Sequence, residues 1–195
     1  MKMDRGSSVR AYALMVLAAA VMPRAHAQSY FGSPVEGTLC KAGETVMFAC
    51  PSKEKQIAVC AAAAGGSPFA ALRYRFGSSS NTELEFPAQP VQPRQFASGN
   101  RLGDGTRGTL VYLRLKQGDT SYTVFAEAIN PTYQGTDASE RSGVVIERRG
   151  KLLATRMCDG DARTYAGMLS DPKFLGDAVP LDMQVPPVFP TYRQP

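Results

Sequence analysis

Glu83 and Glu85 stand two residues apart in a run that alternates charged and apolar residues, so on a β-strand both carboxylates project from one face. Two carboxyl groups about 5 Å apart are what a retaining glycosidase uses as acid and nucleophile, which makes a polysaccharide hydrolase one reading of the chain. Charge neutralisation is the other and the preferred one. Arg73 and Arg75 alternate in the same way in the preceding run, and as cross-strand partners of Glu83 and Glu85 they would contribute roughly 0.2 to 1 kcal/mol per pair. A Ser98 with Lys116 dyad is a second conceivable nucleophile, since a desolvated lysine can act as a base. Both residues fall in polar turn regions, however, where a lysine stays in water. Asp159 with Asp161, and the 103–105 segment (GDG), are fragments of calcium loops without the full ladder of oxygen ligands or a closing bidentate Glu. No glycine-rich loop follows a strand and opens a helix, so no phosphate cradle is expected, and no cofactor is implied.

Histidine chemistry is excluded by position. The only histidine, His26, lies in a segment with the three parts of a secretory leader. These are Lys2, Arg5 and Arg10 in front, an apolar run from Ala11 to Met22, and the small residues Ala25 and Ala27 before Gln28. Cleavage between Ala27 and Gln28 leaves a working chain with no histidine, so neither a Ser-His-Asp triad nor a histidine-bound catalytic zinc can be assembled. The apolar run is about a dozen residues, too short for the roughly 30 Å of a bilayer core. The working chain is therefore expected to be exported, to periplasm or medium, and not to span a membrane.

Removing 27 of the 195 residues leaves 168, a length that suits one domain with one core. The formal charge of +5 shrinks with the leader, which carries four basic residues and one acidic one. What remains is 18 basic against 16 acidic. The densest basic cluster, Arg148, Arg149 and Lys151, reads as the tip of a strand-turn-strand, so a nucleic-acid partner is not expected. Cys40, Cys50, Cys60 and Cys158 all survive cleavage, and an oxidising compartment favours two disulfides over zinc, whose structural sites prefer closely spaced pairs. Four cysteines allow three pairings, and spacing does not choose among them.

The elements that would position these residues are strands. Glu44 to Cys50 (ETVMFAC) and Gln56 to Cys60 (QIAVC) read as a hairpin, as do Thr109 to Leu115 with Ser121 to Ile129, and Val144 to Glu147 with Leu152 to Met157. Leu72, Tyr74 and Phe76 alternate with Arg73 and Arg75, a half-buried strand with its guanidiniums on the outer face. Pro87 to Pro93 is an irregular crossover, and Gly99 to Gly108 a flexible turn. Asp161 could cap a short helix over 162–169. From Pro180 on, five of sixteen residues are proline, which predicts an extended or mobile tail. The expected organisation is a leader over 1–27, a lead-in over 28–39, a disulfide-stapled β domain over 40–179 and a Pro-rich tail over 180–195. The fold class is all-β, an antiparallel, closed or nearly closed barrel or sandwich of about eight strands.

Several of these segments together resemble a largely uncharacterised family of exported, four-cysteine, β-rich bacterial proteins. The residues are Cys40 with Glu44 to Cys50, Lys55 with Ile57 to Cys60 (IAVC), Tyr74 to Gly77 (YRFG) with Glu83 to Pro87 (ELEFP), and Gly143 to Glu147 (GVVIE) with Gly150 and Lys151 before Cys158. This resemblance implies export and fold class and supplies no activity. A second, partial one is to the membrane-bound inhibitors of c-type lysozyme, β-barrels that present a serine from an SG-containing loop and a basic residue from a KGD-like turn. The matching positions are Ser98 with Gly99, and Lys116 with Gly118 and Asp119. Gln117 interrupts the KGD, and no lipid-attachment cysteine follows the leader. That resemblance implies Cys50 bridged to Cys158 and Cys40 to Cys60. It also makes Ser98, Lys116 and Asp119 the expected partner-binding residues, with a lysine facing the target's carboxylates. The expected function is non-enzymatic, an exported binding or structural protein for an unknown protein or cell-envelope component. A c-type lysozyme inhibitor is the alternative, and a carboxylate-dependent polysaccharide hydrolase the last.

Overall fold

The alternating runs form hairpins, and the hairpins stack as two antiparallel sheets. The computed structural model describes residues 36–103, 108–130, 139–160, 163–164, 171 and 173–189. The predicted leader, its cleavage point at Ala27 and Gln28, and the lead-in up to residue 35 lie outside the described residues. One sheet is built from β1 (Thr45–Ser52), β2 (Lys55–Ala64), β3 (Ser67–Ser78), β4 (Asn81–Phe86) and the two-residue β10 (Arg163–Thr164), in the order β10-β1-β2-β3-β4. The other runs in sequence order through β5 (Ala97–Leu102), β6 (Gly108–Gln117), β7 (Thr120–Ile129), β8 (Ser139–Arg148) and β9 (Lys151–Met157). Among the described residues no ladder joins the two sheets, so the architecture is a sandwich. The described residues form ten strands where about eight were expected.

Period-two alternation sets what lies between the sheets. Phe48, Ile57, Val59, Leu72, Tyr74 and Phe86 from the first sheet meet Val111, Leu113, Leu115, Val124 and Val144 from the second, all buried. Phe174, Leu175 and Val179 close one side of this core. Cys50 is bonded to Cys158, tying β1 to the end of β9, and Cys40 to Cys60. These are the pairings implied by the lysozyme-inhibitor resemblance. The first bridge also explains why the predicted helix over 162–169 is not what its described residues form. Cys158 delivers the chain to β1, whose free edge takes Arg163 and Thr164 as a strand opposite Ala49 and Phe48. The remainder of that predicted helix lies outside the described residues.

The outer face of the first sheet corrects a second expectation. Arg75 is not at the solvent; its side chain is 1% exposed. Its cross-strand neighbours are Ala58 and Glu85, and Ala49 lies beyond Ala58. Alanines there leave room for residues 39–44 to fold over the sheet. Arg75 donates to Glu44 Oε1 at 2.9 Å, to Glu85 Oε2 at 3.1 Å and to the Leu39 carbonyl at 3.2 Å. Glu85 is held below the usual carboxylate range mainly by its hydrogen bonds from Arg75. Burial pushes Glu44 up, but the hydrogen bond and charge of Arg75 outweigh it and the net shift is downward. The predicted pairing of Arg73 and Arg75 with Glu83 and Glu85 is therefore only partly realised. Glu85 takes both arginines, whereas a bulge at Gly77 turns Glu83 to Lys55.

The predicted mobile tail is the third correction. Residues 181–189 pack on the outer face of the second sheet, where Phe189 is buried with Leu110, Tyr112, Phe125 and Val145. Its ring meets Phe125 edge-on at 5.0 Å. Prolines remove donors from a segment that is held by side chains rather than by a ladder, so packing and proline content do not conflict. No helix among the described residues is long and apolar enough to cross a membrane.

Candidate functional site

The docked tail and two hairpin tips enclose a cleft. The β6–β7 turn is Gly118 and Asp119, with Gly118 at φ 57°. The β8–β9 turn is Arg149 and Gly150, at φ 51° and 73°, the paired left-handed residues that suit the twist of a two-residue hairpin. The tips lock together: Arg149 donates its backbone N–H to the Asp119 carbonyl at 2.9 Å and its Nε to Asp119 Oδ2 at 2.8 Å. Below them the ladder register brings Lys116, Ser121 and Glu147 into one cross-strand row on β6, β7 and β8. The cleft, about 600 Å3, is lined by all three, by Arg114, and by Gln184, Val185 and Pro187 from the tail.

The tail is fixed over this face through Asp182. Its carboxylate accepts from Ser98 Oγ at 3.2 Å and lies 3.2 Å from Arg114 Nη1, while its carbonyl accepts from Asn100 Nδ2 at 2.9 Å and from Tyr112 Oη at 3.1 Å. Backbone bonds frame the clamp, from Gly99 N–H to the Pro180 carbonyl and from Asp182 N–H to the Gly99 carbonyl. On the other side of the strand Gly99 has no room for a side chain, because a Cβ would stand 2.6 Å from the Tyr112 carbonyl oxygen and 3.0 Å from Leu175 Cδ2. Burial, then the Asp182 carboxylate, pushes the Tyr112 phenol up to about 12, with Arg114 opposing.

Charge and hydrogen bonding inside the cleft are incomplete. Glu147 is 6% exposed, and among the described residues neither it nor the side chains of Ser121 and Lys116 have a hydrogen-bond or ion-pair partner. One row deeper, Arg114 Nε and Thr123 Oγ1 are buried without partners. Native interiors leave few such groups unpaired.

The residues expected from sequence divide. Lys116 and Asp119 lie at the cleft. Ser98 is not in a loop; it sits within β5 and is engaged by Asp182. Ser98 and Lys116 are diagonal on the ladder, since Ser98 pairs with Arg114. Glu83 and Glu85 are each held by cations. Asp159 accepts from the Lys53 N–H and so stabilises the β1–β2 turn; Asp161 and the 104–107 segment lie outside the described residues. Cys40, Glu44 and Cys60 cluster as metal ligands would, but both sulfurs are spent in the disulfide and Glu44 is on Arg75. Ser121, Glu147 and Arg114 have no local pattern that marks them as site residues; their register across three strands is what joins them.

Comparison with protein-family models, with curated proteins and with solved structures finds no match to this chain.

Proposed function

We propose that this chain is an exported, non-enzymatic binding protein of periplasm or medium whose ligand occupies the cleft between the two hairpin tips and the docked tail. The observation that carries this reading is Glu147, a residue of the cleft wall whose carboxylate has no hydrogen-bond or ion-pair partner among the described residues. A carboxylate that lines a cleft without a protein partner is available to a ligand group of opposite charge. Catalysis is less well supported. Lys116 is exposed, so it lacks the desolvation that makes a lysine a base. β6, β7 and β8 are interior strands whose backbone amides are committed to ladders on both sides, so these strands offer no oxyanion hole.

The test is native mass spectrometry and pull-down of the mature, oxidised protein from the exported fraction, beside a cleft-filling Ser121→Trp variant. A ligand or cell-envelope partner that co-purifies with the parent and is lost from the variant is the expected result. Equal capture by both, or a reproducible hydrolytic activity of the parent, overturns the proposal.

Inhibition of a c-type lysozyme is the second reading, favoured by one observation: the Lys116 ammonium is unpartnered beside a protruding tip. Ser98 weighs against it, because the tail already occupies that hydroxyl. Titration of a c-type lysozyme with the parent and with Lys116→Ala decides it; no inhibition at micromolar parent protein removes it.

A further inference from the structure

We propose that the cleft recognises a small zwitterion, an amino acid or short peptide, with its ammonium on Glu147, its carboxylate on Lys116 and Ser121 hydrogen-bonding between them. This rests on the cleft being the binding site and names the chemistry it takes. The three side chains stand in one cross-strand row, Lys116 opposite Ser121 and Ser121 opposite Glu147. Two inter-strand steps of about 4.8 Å put the backbones of the outer two about 10 Å apart. The cation and the carboxylate do not pair with each other across that gap, and neither has another partner among the described residues.

Ligand classes can be separated by which charge they would leave unmatched. A phosphate or other pure anion satisfies Lys116 and faces Glu147 with like charge. A simple amine satisfies Glu147 and meets Lys116 and Arg114. A neutral sugar serves Ser121 and leaves both charges without a counter-charge. Only a ligand carrying both signs completes the row, and each charge placed on its counterpart gains the strength of a charge-assisted hydrogen bond. The volume of about 600 Å3 accommodates a dipeptide. Val185 and Pro187 form an apolar wall on the tail side, suited to a small ligand side chain.

The test uses three probes on the oxidised chain: L-alanyl-L-alanine, its N-acetyl form, which lacks the ammonium, and its C-terminal amide, which lacks the carboxylate. By calorimetric or NMR titration the free dipeptide is expected to bind at least tenfold more tightly than either capped form. In Glu147→Gln the free and N-acetyl forms should bind alike, and in Lys116→Gln the free and amide forms should bind alike. The comparison among probes on the parent protein needs no variant to fold. Capped forms binding as well as the free dipeptide, or no binding of any probe at millimolar concentration, overturns the zwitterion assignment. The broader reading of the cleft then still stands or falls separately, on whether a co-purifying ligand is lost from Ser121→Trp.

Discussion

Ser98 donates to the carboxylate of Asp182, a residue 84 positions further along the chain, and Arg114 approaches the same carboxylate from the other side. The contact converts a proline-rich segment into part of the second sheet's outer layer. It also means that the serine in an SG dipeptide, which would suit an exposed recognition loop, is here a fastening.

Asp182→Ala should release the tail. Both members of the Asp182 and Arg114 pair are largely buried, at 7% and 12% side-chain exposure, so removing one leaves a charge without its partner. The expected loss is about 3 kcal/mol, read from the urea midpoint. Limited proteolysis should cut within 181–189 in the variant and spare the parent. An unchanged proteolytic pattern would show that Phe189 alone holds the segment.

Phe189→Ala separates the apolar contribution from the polar clamp. Phe189 is 3% exposed and packs against Tyr112 and Phe125. Truncating a buried phenylalanine costs about 3 kcal/mol or more, and the variant should bind a hydrophobic dye where the parent does not. Dye binding equal to that of the parent would contradict the contact.

Arg75→Met should both weaken the fold and change its response to acid. Glu44 and Glu85 have folded-state pKa values below their unfolded ones. Their contribution is therefore complete above the ordinary carboxylate range and is lost as pH falls through the depressed folded values. The parent should lose stability progressively below about pH 4.5. The variant should start about 3 kcal/mol lower at neutral pH and show a flatter acid limb in urea titrations from pH 3 to 7. A limb of unchanged steepness would assign the acid response to other carboxylates.

The two disulfides should differ in weight. Cys50 and Cys158 are 108 residues apart and Cys40 and Cys60 only 20. By loop-closure entropy, opening the first should cost about 5 kcal/mol and opening the second about 3. Paired serine substitutions compared by chemical denaturation give the order directly; the reverse order would point to native-state packing around Cys40 as the larger effect.

Most of the strands were legible in the sequence because burial on one face writes a period of two into it, as in Thr109 to Leu115 and Leu72 to Phe76. What escaped depends on contacts distant in sequence. Residues 97–102 (ASGNRL) carry no apolar alternation, and they are a strand because β6 pairs with them on one side and the tail seals Gly99. Arg75 reads as an outward guanidinium until residues 39–44 are known to cover it. Val185, Val188 and Phe189 follow no period at all, since they meet the sheet as a draped segment rather than as a strand or helix. Part of the candidate site was visible, Lys116 and Asp119, because the β6–β7 hairpin announces itself locally; Lys116, expected in its turn, is the last but one residue of β6. Glu147 and Ser121 look like ordinary strand positions, and only register makes them neighbours of Lys116.

The placement of the tail also bears on the order in which the molecule can be completed. A chain emerges N-terminus first, and residues 181–189 follow every strand they cover. Until they arrive, Leu110, Tyr112, Phe125 and Val145 form an uncovered apolar patch on the second sheet, a surface of the kind that drives association. The last contact to form is thus the one that makes this face safe to expose. A molecule missing that segment would be marked as unfinished by its stickiness before any ligand could test it.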